Sequence, residues 1–261
     1  MTGRFGALLA TNPTIWGGWL VGPTAIGPEA FAHAGYDYVG FDCQHGYLDD
    51  ADVAMLLAGL EHVPVATAVR LPSTAPAPIG RVLDAGADAI VIAMVETAGQ
   101  AADAVAATRF APHGVRSFGP LRASLGHDVA ALEARVAVYP MIETEPGVAA
   151  IDEISCVPGL AGVYVGPADL AISMGRPVAD AWRDPAVLEA MSHVVERAAA
   201  AGLPAGVHAG DGTIGATAAA MGFRIITLAS ESQALRHGAS QHLATAKRAD
   251  DGIDSRGGGY S

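Results

Sequence analysis

The chain has 261 residues, 51% hydrophobic and only 16% charged, which excludes long disorder outside the ends and supplies a large buried core. A net charge of −12, from 15 basic and 27 acidic residues, argues against a nucleic-acid partner, since no face can be strongly cationic. Apolar runs fall short of the ~20 residues of a membrane span. Residues 1–10 lack the order of a secretory leader, and two cysteines make no disulfide framework, so the expectation is a cytoplasmic protein without a membrane partner.

In chain order, short apolar runs suited to buried parallel strands fall at 15–21, 38–44, 63–71, 89–95, 135–143, 159–166, 203–209 and 223–229. Alanine-rich stretches with helical spacing lie between most of them, among them 51–60, 97–108 and 186–201. Joints such as Ala34-Gly35-Tyr36-Asp37 and Ala85-Gly86-Ala87-Asp88 place glycine where a helix closes before the next strand. Eight such units predict an α/β protein, a single (β/α)8 barrel over residues 1–248, followed by a flexible tail at 249–261. A doubly wound sheet is the competing reading.

One count excludes whole chemistries. Lys247 is the only lysine and lies near the tail, so neither a Schiff base nor a P-loop has its amine.

Barrel enzymes place their chemistry where strands end. Strand 1 ends near Trp19, strand 2 gives Asp42, Gln44 and His45, and strand 3 gives Arg70 before Pro72. Strand 5 ends on Glu143, strand 6 on Gly166-Pro167-Ala168-Asp169, strand 7 on His208 and strand 8 on Ser230. Glu143 and Asp169 close adjacent strands, whose ends lie roughly 5 Å apart. Two hard oxygen ligands there suit Mg²⁺ or Mn²⁺ with open positions; the competing reading makes them caps of the loop 144–147 and of a helix beginning at Leu170. Arg70 inside an apolar barrel implies either an anionic ligand or an ion pair with Asp42 or Asp84. His45, three residues after Asp42, is an acid/base candidate oriented by that carboxylate, or a solvated loop histidine. Trp19 either walls a pocket or packs in the core. Cys43 should face away from the site. The glycine-rich stretch after His208 reads as a turn, with a phosphate site as its rival, and Arg116 reads as a surface charge.

At these positions the sequence resembles the HpcH/HpaI aldolase family. The motifs are Phe41-Asp42-Cys43-Gln44-His45-Gly46, Val69-Arg70-Leu71-Pro72, Leu83-Asp84-Ala85-Gly86-Ala87, Met94-Val95-Glu96-Thr97, Ile142-Glu143-Thr144 and Val165-Gly166-Pro167-Ala168-Asp169-Leu170. Pro112-x-Gly114-x-Arg116 adds one more. The resemblance implies a phosphoenolpyruvate/pyruvate-type barrel and a class II pyruvate aldolase. It would cleave 4-hydroxy-2-oxo acids to pyruvate and an aldehyde. Glu143 and Asp169 would hold a divalent metal (Mg²⁺, Mn²⁺ or Co²⁺), with no pyridoxal phosphate, nicotinamide or Schiff-base lysine. Substrate would meet Trp19, Arg70, Gly166, Pro167, Ala168 and Asp169. Arg70 would stabilise the enolate, and His45 with Asp42 would form the acid/base dyad. A homohexamer, a trimer of dimers, is also implied. Gln44 and Met141 stand where many members carry glutamate and glutamine. Enolate condensation with another keto acid, as in citrate-forming relatives, is the alternative reaction, and a keto-acid-binding barrel without turnover is the non-enzymatic one.

Overall fold

A computed structural model describes residues 3–254, with side chains through Arg248. Eight parallel strands close into a barrel in chain order: β1 (Ile15–Leu20), β2 (Tyr38–Asp42), β3 (Ala66–Leu71), β4 (Ala89–Ile92), β5 (Ala137–Ile142), β6 (Val163–Val165), β7 (Ala205–His208) and β8 (Ile225–Ser230). β8 returns to pair with β1, setting Trp19 beside Ser230. The predicted (β/α)8 barrel is the fold. Most strand residues are buried on both faces, which is why the strands read as continuous apolar runs rather than alternating ones. Several begin later than predicted. Before β3, Val65 N–H turns back onto the Val63 carbonyl, and Pro64 has no N–H to offer a ladder.

The core has two layers. One lies between strands and helices and gathers Leu20, Phe41, Val69, Ile92, Ile142, Val165 and Val207. The other fills the barrel, where the hydroxyls of Tyr38 and Tyr164 meet Thr227 Oγ1 at 2.8 and 2.6 Å. Gly17 and Gly206 make room for those rings, since a Cβ at either would collide with Tyr38 or Tyr164. A helix absent from the sequence expectations, Arg4–Thr11, plugs the amino end of the barrel. Its Phe5 is buried against Tyr38 and Tyr139, with ring centroids 5.3 and 5.9 Å apart.

That amino end is tied by arginines. Arg135 donates to the carbonyls of Gly86 and Ala87 and to Asp88, and Arg122 donates to the Leu57 carbonyl and faces Glu61 at 3.3 Å. Arg116 corrects the surface-charge expectation. Its side chain is 1% exposed, 2.7 Å from Asp84 and stacked over Phe110, because the segment after Phe110 folds back and pairs with it.

The final helix, Glu231–Asp254, leaves the barrel after β8; the tail expected at 249–261 falls mostly outside the described residues. No described helix is long and apolar enough to cross a membrane.

Candidate active site

At the carboxyl ends of the strands lies a cavity of about 610 Å³. Its walls include Trp19, Asp42, His45, Arg70, Gly166, Pro167, Ala168 and Asp169, so every wall residue expected from the sequence converges on one space. Glu143, fully buried, sits beneath Gly166.

Asp42 and Arg70 are register partners on β2 and β3, and that placement decides the fate of both. Arg70 Nε donates to Asp42 Oδ1 at 3.0 Å and Nη2 to Oδ2 at 2.6 Å, the two-pronged geometry a guanidinium favours. Asp42 Oδ1 also accepts the main-chain N–H of Gln44 and His45, and Oδ2 accepts Trp19 Nε1–H. Burial alone would raise the Asp42 carboxyl; the bonds and charge of Arg70, with the two loop N–H groups, outweigh it and hold the group below the usual carboxylate range. Of the two expectations for Arg70, the ion pair with Asp42 is therefore present. Asp42 fixes the main chain of His45, whereas the imidazole is not among its hydrogen-bond partners. The His45 ring is exposed to the cavity.

Glu143 follows β5 directly. Its Oε1 accepts the Met94 N–H at 2.7 Å, while Oε2 is buried without a partner. Met94 supplies that N–H from a left-handed backbone, φ 56°, a conformation that costs a non-glycine residue roughly 1–2 kcal/mol. Burial, supported by the charges of Asp169 and Asp42, pushes the Glu143 carboxyl up to about 7, against the Met94 hydrogen bond and the Arg70 charge. Gly166 is required here, since a Cβ would strike Glu143 Oε2.

Asp169 lies in the first turn of the helix Pro167–Ser173, which begins at Pro167 rather than at Leu170; Gly166, not Asp169, is its N-cap. Thr144, not Glu143, caps the helix Glu145–Ala149 through its hydroxyl. Both capping readings are thereby vacated. A buried carboxylate oxygen with no protein partner, beside a second carboxylate, fits a divalent cation that takes its other ligands from substrate and water. Among the described residues no group of three or more His, Cys, Asp or Glu side chains could hold a metal by itself.

Three further placements matter. Cys43 packs against the outer core, as expected, and burial with nearby acidic groups pushes its thiol up to about 12. His208, which sequence reasoning set aside as part of a turn, lines the cavity at the end of β7, edge-on to Trp19 at 5.7 Å. In the loop that follows, Asp211 caps the helix Gly212–Ala220 and takes the Ile214 N–H, one of the donors an anion would use. Lys247 is exposed on the last helix and is not among the cavity walls.

Fold and rim together define an enzyme barrel with its polar groups gathered at the strand ends. The family model described as HpcH/HpaI aldolase/citrate lyase matches residues 16–238, and the chain belongs to that family of aldolase enzymes. It is 38% identical over 234 residues to the hydroxypyruvate/pyruvate aldolase of Rhizorhabdus wittichii, covering 88% of this chain and 93% of the relative. It is 32% identical over 209 residues to the 5-keto-4-deoxy-D-glucarate aldolase of Klebsiella pneumoniae, covering 78% and 81% of the two chains. Among solved structures, an HpcH/HpaI aldolase/citrate lyase family protein of Burkholderia cenocepacia superposes with a TM-score of 0.86 at 32% identity, over 94% of this chain and all of that one. The citrate synthase SbnG superposes at 0.83 and 28% identity, over 94% and 98%.

Proposed function

We propose that the chain is a divalent-metal-dependent class II aldolase. It cleaves 4-hydroxy-2-oxo acids reversibly into pyruvate, or a substituted pyruvate, and an aldehyde. The observation that carries this reading is the unpartnered, buried Oε2 of Glu143 beside Asp169. Glu143 and Asp169 would hold Mg²⁺, Mn²⁺ or Co²⁺, which when bound supplies Lewis-acid polarisation of the 2-oxo group. The names of the aldolase relatives support pyruvate as the keto-acid product.

The chain's own groups then have distinct tasks. Ala168 and Asp169 line the carboxylate end of the cavity at the start of a helix, where main-chain N–H groups lack intrahelical partners. His45 takes the proton of the C4 hydroxyl as the C3–C4 bond breaks; the bonding electrons move onto C3 and the C2 oxygen, giving the enolate. Arg70, held by Asp42 and lying 5.6 Å from the centroid of the Trp19 ring, is a preorganised cation for that oxygen. Protonation at C3 releases pyruvate. Asp42 is a positioning residue, acting through Arg70 and the His45 main chain. Trp19 closes the wall behind both. The same reading includes a cytoplasmic homo-oligomer, supported by Leu235 and Leu243 exposed on the last helix.

The test is pyruvate release from a panel of 4-hydroxy-2-oxo acids. Chelator should abolish it and added Mg²⁺ or Mn²⁺ should restore it, while borohydride with pyruvate traps no adduct. A trapped adduct, or full activity in chelator, would refute the reading. The likeness to SbnG supports one rival, condensation of the enolate with a second 2-oxo acid; it predicts product only when that second acid is supplied.

A further inference from the structure

His208 has no task in the chemistry above, yet it occupies the rim of the site. It ends β7, between buried Val207 in the strand and buried Ala209 just beyond it, so its Cα is fixed at the barrel's edge. The ring stands edge-on to Trp19 and faces the cavity. Among the described residues no hydrogen-bond partner engages its ring nitrogens, in contrast to Asp42, whose two oxygens accept five bonds from protein donors.

Three roles are open to a histidine in such a place, and two of them fail. It is not a third metal ligand, because no group of three His, Cys, Asp or Glu side chains within metal reach exists among the described residues. It is a poor general base, because burial and the nearby Arg70 charge, opposed by Asp42, push its imidazole down to about 4; a base is most effective with a pKa near the working pH. What remains is a neutral ring that carries one donor and one acceptor. Its natural complement is a neutral group with the same pair, an alcohol hydroxyl.

The position narrows which part of the substrate that is. On the aldol reading, the keto-acid end would be met by groups from β3, β5 and β6: Arg70, Glu143 and Gly166 to Asp169. The arc formed by β7, β8 and β1 presents His208, Ser230 and Trp19 instead. We infer that His208 is a specificity-determining residue that hydrogen-bonds a hydroxyl on the aldehyde partner, next to the carbonyl carbon, and so selects hydroxyaldehydes over their deoxy counterparts. The inference rests on the aldol reading and adds to it the class of aldehyde. It has a physical cost attached: a deoxy aldehyde seated over the half-buried ring covers its nitrogens without pairing them, and sites built around a substrate hydroxyl reject the analogue that lacks it.

The experiment compares kcat/KM for glycolaldehyde against acetaldehyde, with pyruvate as donor, in the parent protein, His208→Leu and His208→Gln. A parallel arm compares hydroxypyruvate against pyruvate as donor with a fixed aldehyde. The parent should prefer glycolaldehyde by about 10-fold or more; His208→Leu should erase that preference while retaining acetaldehyde turnover, and His208→Gln, which keeps a donor and an acceptor, should restore part of it. Circular dichroism and metal titration establish that each variant is folded and binds metal normally. A preference unchanged in His208→Leu overturns the inference and leaves the aldol reading standing. A change confined to the hydroxypyruvate arm also overturns it, by assigning the ring to the donor. No turnover of any pair by the parent sinks the aldol reading itself. In that case calorimetry with glycolaldehyde and acetaldehyde on the metal-loaded protein decides: equal binding of the two by the parent, or no effect of His208→Leu on the difference, overturns the inference.

Discussion

The two ends of the barrel use arginine in opposite ways. At the amino end, Arg122 and Arg135 spend donors on main-chain carbonyls as well as on carboxylates, and Arg116 is folded onto Asp84 and Phe110. There the guanidinium groups tie loop to loop. At the carboxyl end, Arg70 is anchored by Asp42 on a wall of an open cavity, and the neighbouring Glu143 keeps one oxygen unpaired. The amino end is tied mainly by the protein's own groups, whereas the carboxyl end leaves a buried carboxylate oxygen unpaired at the site of the larger of the two cavities. Unspent hydrogen-bonding capacity beside a cavity is a better marker of a site than charge as such. Arg116 and Arg122 mark the boundary of that rule: Arg116 Nε and Nη1 and Arg122 Nε are also unpaired, and Arg122 lines a smaller cavity of about 140 Å³ at the amino end.

The contrast predicts that changes at one end weaken the fold and changes at the other weaken the reaction. The largest effect belongs to the amino end. Asp84→Ala strands the buried Arg116 charge, and breaking one side of such a pair costs about 3–5 kcal/mol. Chemical denaturation should show that loss, while kcat measured on the folded protein at low temperature stays within about twofold of the parent. A large fall in kcat would erase the distinction between the ends.

Next is Arg70→Ala. Removing a preorganised donor from a developing oxyanion costs about 2.7–4 kcal/mol of activation, or roughly 10²–10³ in rate. Both aldol cleavage and proton exchange at the pyruvate methyl should fall, since both pass through the enolate. Normal methyl exchange in the folded variant would release Arg70 from that role.

Glu143→Gln sharpens the comparison further, because here function and stability should move in opposite directions. The native carboxyl titrates near 7 against an ordinary value of 4.5, so the folded state binds this proton more tightly than the unfolded state. The resulting penalty is absent below pH 4.5 and complete above pH 7, worth on the order of 3 kcal/mol. In metal-free protein the variant should therefore melt higher than the parent at pH 8 and match it at pH 4, while losing metal affinity and turnover. A lower melting temperature at pH 8 would show that the site stores no such cost.

The smallest effect is expected at Met94. Its side chain is 44% exposed, and only its backbone serves Glu143. Met94→Asn, which tolerates the left-handed region, should change stability by less than about 1 kcal/mol and leave metal affinity unaltered. Met94→Val should weaken metal binding by straining the N–H away from Oε1. Equal metal affinity in the two variants would remove the backbone of residue 94 from the site's construction.

Much of the barrel was legible because parallel strands buried on both faces leave unbroken apolar runs, and because glycine marks the helix-to-strand joints. The rim residues followed from strand ends alone. What escaped depended on partners far away in sequence. The helix Arg4–Thr11 has meaning only once Tyr38 and Tyr139 are seen above Phe5. The sequence offered Arg70 an ion pair with either Asp42 or Asp84, and only the β2–β3 register, which puts Arg70 beside Asp42, decides between them. The neutrality of His208 could not be read either, since it depends on burial and on where Arg70 comes to rest.

The first and last strands meet, and the Glu231 carboxylate immediately beyond β8 accepts the main-chain N–H groups of Val21 and Gly22, some 210 positions earlier in the chain. Seen from the ribosome, Trp19 is made early but waits for nearly the whole chain before Ser230 arrives beside it. No nascent fragment short of β8 can present a complete cavity, whose walls include Ser230. Closure is a late event that brings together the most distant parts of the sequence, the kind of contact that slows folding. A ligand seated in the finished cavity, by the same token, bridges the oldest and youngest strands and stabilises the whole circuit by mass action.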